Sequence, residues 1–202
     1  MKVIGITGGI GSGKTSLAKI IEEFGYKVIY TDNLAKKILN ENQNIRNKII
    51  ETFGENSYNP DLTFNNKYIS QIVFNGTDES KRKLQNLNRI VHPAVIDEMI
   101  KETERLEQNG EEIVFIESAL IYEIGLEDGF DYIIVVDANE DVRAKRAADR
   151  LGITIDEVKA RMRQQNSTQV EKNLADFVIE NNGTIEELKD SARFIIDLIR
   201  LA

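Results

Sequence analysis

Eight residues near the start of the chain, Gly8-Gly9-Ile10-Gly11-Ser12-Gly13-Lys14-Thr15, constrain the fold more than any other stretch. They fit the pattern G-x-x-x-x-G-K-[ST], which carries meaning only between a strand and a helix. Both neighbours are legible. Lys2 to Thr7 is a short apolar run rich in β-branched residues and bounded by glycine, and it reads as a buried strand. Leu17, Ile20, Ile21 and Phe24 recur at helical spacing, and Gly25 closes that helix. Glycines let a backbone wrap a phosphate with its N–H groups turned inward, and a helix starting near Lys14 adds the positive end of its dipole. In such a loop Lys14 reaches the β- and γ-phosphates of a nucleotide, and the Thr15 hydroxyl is positioned to ligate magnesium. The loop by itself does not separate a kinase from a switch or a motor.

The rest of the chain alternates strand and helix. Tyr26 to Tyr30, Glu112 to Ile116, Tyr132 to Val136 and Asp176 to Glu180 read as four more strands, short and apolar as expected for strands covered on both faces. Residues 32–53 read as helix with a break near Asn40 to Gln43. Between about Gly54 and Gly110 no convincing strand occurs; the patterns are helical, with a turn at Asn59-Pro60-Asp61. His92-Pro93 is expected to end one helix there, with a new one running from Pro93 to about Gln108. Capping boxes at Thr154/Glu157 and Thr184/Glu187 mark two later helix starts. The expected fold is α/β, a doubly wound parallel sheet of five strands in a single domain. Its core takes in residues 1–53, 111–138 and 174–202, with a helical insertion at about 54–110 and a helical lid at about 139–170.

Composition removes other chemistries. There is no cysteine and one histidine, His92, so thiol catalysis, disulfide scaffolds and Cys/His zinc sites are excluded. A net charge of −8 argues against a general nucleic-acid binder, and no apolar run is long enough for a membrane span. The absence of cysteine and of a targeting segment points to the cytosol. The window Arg143 to Arg163 goes against the overall charge, with seven basic and three acidic residues. Such a patch suits a local anionic ligand, and equally a solvated pair of amphipathic helices.

Three further positions bear on chemistry. Asp32 follows the second strand, and in a parallel sheet the strand ends that precede loops share one edge. There it could take the proton of an acceptor hydroxyl, or cap the next helix. Glu117 ends the third strand, as a carboxylate near the metal or as a strand-end cap. Arg143, Arg146 and Arg150 share one helix face, and Arg161 and Gln165 share the next. With a phosphate loop in the same chain, these arginines are read as closing over a triphosphate and stabilising the transferring group.

These residues together resemble the dephospho-coenzyme A kinase family. Ile4 to Thr15 is similar to that family's phosphate loop almost letter for letter. Val28-Ile29-Tyr30-Thr31-Asp32-Asn33-Leu34-Ala35-Lys36 resembles its "V-I-D-A-D-x-I-A-R" stretch, Ile90-Val91-His92-Pro93 its His-Pro motif, and Ala175 to Gly183 its "A-D-x-V-I-x-N-x-G" signature. Arg146, Arg150, Arg161 and Gln165 match its lid pattern. The chain departs from the family at Tyr30, in place of the first aspartate of "D-A-D", and at Ala119, in place of a proline. The resemblance implies transfer of the γ-phosphoryl of ATP to the ribose 3′-hydroxyl of dephospho-coenzyme A, the last step of coenzyme A biosynthesis. It implies Asp32 as catalytic base, Lys14 and Arg146 as catalytic cations, and Asp32 and His92 as acceptor contacts. ATP contacts are then Gly9, Ile10, Gly11, Ser12, Gly13, Lys14, Thr15, Ser16 and Arg146, with Mg2+ on Thr15. Two rivals stand beside this reading. A kinase of another acceptor would not need the joint match of Asp32, His92 and the C-terminal signature. A nucleotide switch would carry N-K-x-D, which is absent.

Overall fold

The computed structural model describes residues 1–163 and 168–202. Among the described residues the chain forms five strands, β1 (Lys2–Thr7), β2 (Lys27–Tyr30), β3 (Ile113–Glu117), β4 (Tyr132–Asp137) and β5 (Phe177–Glu180). They make one parallel sheet in the order β2-β3-β1-β4-β5. The five apolar runs of the sequence are these strands. Ile4, Ile6, Val114, Phe115, Val135 and Val136 have no exposed surface, because helices cover both faces of the sheet. Each such side chain contributes about 1.5–3 kcal/mol on burial. Ile6 lies opposite Glu117 and Ile134, and Val136 opposite Ile179. The segments that follow β1, β3, β4 and β5 therefore leave from one edge of the sheet.

The chain divides into two compact units, Met1–Ile29 with Leu106–Ala202, and Tyr30–Arg105. In the first, α1 (Lys14–Glu23) follows the glycine loop and touches α9 (Ile185–Leu201). After β4 come α6 (Glu140–Leu151), α7 (Ile155–Met162) and α8 (Thr168–Leu174). Ala144, Ala147 and Ala148 let α6 approach Val158 of α7 closely, and Gly152 ends α6 in the left-handed conformation. Both capping boxes form, Thr154 with Glu157 and Thr184 with Glu187.

The second unit holds α2 (Thr31–Glu41), α3 (Gln43–Phe53), α4 (Asn66–Val73) and most of α5 (Asp78–Gln108). The break expected between α2 and α3 falls at Asn42, whose extended backbone stops one helix while its side chain caps the next. Ile38, Ile45, Ile49 and Phe53 share one apolar cluster with Ile69, Val73, Val91 and Val95. The expected stop at His92-Pro93 does not occur, since α5 runs unbroken from Asp78 to Gln108 with Pro93 inside it. Proline removes one N–H bond, at a cost of about 3 kcal/mol. Here Val91 and Val95, two residues to either side, are both buried in the cluster and hold the helix in line. Among the described residues no helix is long and apolar enough to cross a membrane.

Candidate active site

The glycine loop is shaped by what approaches it from behind. Gly13, the N-cap of α1, has φ 103°, and a Cβ there would strike the side-chain amide of Asn181. That amide donates to the Ser12 carbonyl at 2.8 Å, and the Asn181 main-chain N–H donates to the Asp137 carbonyl at 2.7 Å. Within the loop the Ser12 N–H donates to the Gly9 carbonyl. Lys14 opens α1 directly after the loop, and with glycine as N-cap no side chain occupies the helix start. Ser12 is fully buried, while Ser16 is exposed.

Beside the loop, the Thr15 hydroxyl donates to Glu117 Oε1 at 3.4 Å. Glu117 is buried at the end of β3, and the next residue extends the strand by donating its N–H to the Ile6 carbonyl. A hydroxyl and a carboxylate oxygen at the phosphate end of α1 are the hard-oxygen donors that magnesium takes, so the residues present fit that ion.

The arginines divide into kinds. Arg143 is buried; its Nε donates to the Ile10 carbonyl at 3.1 Å and its Nη1 to Asp137 Oδ1 at 3.2 Å. It is thus part of the wall of the loop, not one of a free row of lid cations, because the α6 face at that turn points into the sheet unit. Arg146 is half-buried and donates to the Asn181 carbonyl at 2.8 Å, one link from the loop. Arg150 and Arg161 are exposed. Gln165 lies outside the described residues.

A family model described as dephospho-CoA kinase matches residues 2–187. The chain belongs to the dephospho-CoA kinase family. It is 36% identical to the dephospho-CoA kinase of Salinibacter ruber over 94% of this chain and 93% of that one. It is 34% identical to that of Carboxydothermus hydrogenoformans over 97% of this chain and 93% of that one. Among solved structures, a Thermus thermophilus protein superposes with TM-score 0.80 at 29% identity, covering 98% of this chain and 97% of that one. A shikimate kinase from Acinetobacter baumannii, at TM-score 0.53 and 13% identity over 98% and 93% of the two chains, shares the fold. Dephospho-CoA kinases are phosphotransferases that use ATP, with Mg2+ as the usual metal, to phosphorylate dephospho-CoA in the final step of coenzyme A biosynthesis.

The family's C-terminal signature has a physical content here. Asp176 receives the Ile133 N–H at 2.8 Å and sets the register of β5 on β4. Asn181 holds Ser12, and Asn182 receives the Asn139 N–H at the start of α6. Asp137 and Lys172 were not legible as site residues. Lys172 donates to Asp137 Oδ2 at 3.1 Å and to Glu180 Oε1 at 2.6 Å, and those carboxylates raise the pKa of its ammonium. Beside it, burial pushes the Glu171 carboxyl up, opposed by Arg143 and Lys14 and reinforced by Asp137 and Glu123. Burial also takes the Tyr122 hydroxyl up to about 12, with Asp176, Glu171 and Glu127 adding to it. A terminal acid after an apolar strand was the one available signal for Asp137.

In the helical unit, Asp32 is the second residue of α2 and exposed. The N-cap is Tyr30, so the capping alternative for Asp32 does not hold. His92 is half-buried within α5 rather than at a helix end.

Proposed function

We propose how this chain divides the family's reaction among its residues. Lys14 and the backbone N–H groups from Gly9 to Ser16 hold the β- and γ-phosphates of ATP, and Thr15, backed by Glu117, carries the magnesium ion. When bound, that ion neutralises phosphate charge. Asp32 accepts the proton of the ribose 3′-hydroxyl of dephospho-CoA as its oxygen bonds to the γ-phosphorus and the bond to the β–γ bridging oxygen breaks, releasing ADP. Arg146 neutralises charge on the group in transit as the lid over about 139–170 closes and keeps water out. The helical insertion at about 54–110, with His92, receives the acceptor, and the reaction takes place in the cytoplasm, where ATP is at hand.

The observation that supports Asp32 is its situation. It is an exposed carboxylate two residues beyond the end of β2, not spent on capping, at the position that resembles the second aspartate of the family's motif. Replacing Asp32 by asparagine is expected to lower kcat by about 10²–10⁴ while ATP affinity changes little. Steady-state kinetics beside ATP titration checks this, and near-full turnover of the variant would remove Asp32 from the chemistry.

A further inference from the structure

We propose that Arg143 is a positioning residue: oriented by Asp137, which Lys172 fixes from α8, it holds the phosphate loop in the shape that receives ATP. The proposal rests on the loop being the ATP site.

The trans peptide unit carries the reason. It is planar, and its C=O and the following N–H point in opposite directions. A donor that holds one carbonyl on the outer side of a loop therefore turns the next amide toward the inside. The Ile10 carbonyl is held by Arg143 Nε at 3.1 Å, which directs the Gly11 N–H away from α6. The Ser12 carbonyl is held by Asn181 at 2.8 Å, which does the same for the Gly13 N–H. The phosphate-binding amides are set by two side chains from the far end of the sequence.

The fit around Arg143 is tight. A Cβ on Gly9 would collide with its guanidinium, and a Cβ on Gly11 with its main-chain carbonyl. Two of the loop's glycines thus make room for one arginine. Arg143 is 8% exposed, so its charge needs a partner, and Asp137 at 3.2 Å supplies one. Only a planar fork presents donors at fixed angles to a carbonyl and a carboxylate at once. Asp137 is itself fixed through its other oxygen by Lys172 at 3.1 Å, and Lys172 is shared with Glu180 at 2.6 Å. One line of contacts therefore runs from α8 through Asp137 and Arg143 to the loop.

The test compares Arg143→Gln, Arg143→Lys, Asp137→Asn and Lys14→Ala with the unchanged protein. Calorimetry with the β,γ-imido analogue of ATP and magnesium gives Kd, and kinetics give kcat and both KM values. Arg143→Gln is expected to weaken analogue binding and raise KM for ATP by about tenfold, the scale of one charge-assisted hydrogen bond, with KM for dephospho-CoA unchanged. Arg143→Lys recovers part of that loss. Asp137→Asn gives a smaller loss of the same kind, and combining it with Arg143→Gln adds nothing, since both act through one contact. A merely structural arginine would lower Tm and leave Kd and KM for ATP as they were well below it. If Arg143→Gln is too unstable to assay, Asp137→Asn and Arg143→Lys decide by the same readouts. Unchanged ATP binding in the Arg143 and Asp137 variants, with Lys14→Ala unable to bind, would overturn the role of Arg143 alone. Unchanged binding in Lys14→Ala as well would overturn the loop reading and this proposal with it.

Discussion

The loop edge of the sheet unit and the interior of the helical unit are held by different means. At the edge of the sheet, backbone geometry is set by directed polar links: Thr15 to Glu117, Arg143 to Ile10 and Asp137, Asn181 to Ser12. In the helical unit one apolar cluster from Ile38 to Val95 does most of the work. Polar bonds there finish the ends of elements, as where Asn42 caps α3, Asn65 caps α4, and the Tyr58 hydroxyl takes up the Leu39 carbonyl. Apolar burial is non-directional; it decides which faces meet but not how a peptide plane is turned. Hydrogen bonds have direction, and a ligand made of charged oxygens needs donors aimed at it. The unit proposed to bind phosphate is the one whose loop is held by such bonds.

The contrast can be broken first in the helical unit. Ile49 has no exposed surface, and Ile49→Ala should cost about 2–5 kcal/mol in denaturant unfolding. Amide exchange should accelerate more within 31–105 than in β1 and β4. Equal acceleration in both would contradict two separately stabilised units. Next in size is Asn181→Ala. Without the amide that fixes the Ser12 carbonyl, affinity for ATP should fall by about tenfold, measured by titration, while β5 stays registered through Asp176. Unchanged affinity would mean that the Gly13 amide is oriented without it.

The smallest effect concerns pH. Burial raises the Glu171 carboxyl, so the folded state holds that proton more tightly than the unfolded chain does. Folding stability is then lost as pH rises through the carboxylate range. Glu171→Gln removes the titration. Its Tm should exceed that of the unchanged protein at neutral pH, with the gap closing as the solution is acidified below the ordinary glutamate range. A gap that widens in acid would reverse the assigned direction.

Much of this was legible before any coordinates. Short β-branched runs gave all five strands to within a residue or so, and the glycine pattern gave the loop, because both depend on local sequence. The capping boxes at Thr154 and Thr184 were equally local. What was not legible depends on distant partners. Charge spacing put Arg143 on a face with Arg146 and Arg150, but which cation is buried depends on a carbonyl 133 positions earlier in the chain. Asp137 gains its meaning from Arg143 and Lys172 together. Pro93 was read by its local cost, and the buried valines beside it offset that cost. The helices over 31–53 follow a sheet strand in sequence, but their apolar faces match the helices after them.

This chain moves a phosphoryl group from ATP to the ribose 3′-hydroxyl of dephospho-CoA. Mass spectrometry of dephospho-CoA incubated with the protein, ATP and magnesium tests it directly. The expected result is a product heavier by one phosphoryl group, with an equivalent of ADP and the added group on the 3′-oxygen. Recovery of unchanged dephospho-CoA, with ATP consumed only when another alcohol is supplied, would contradict it.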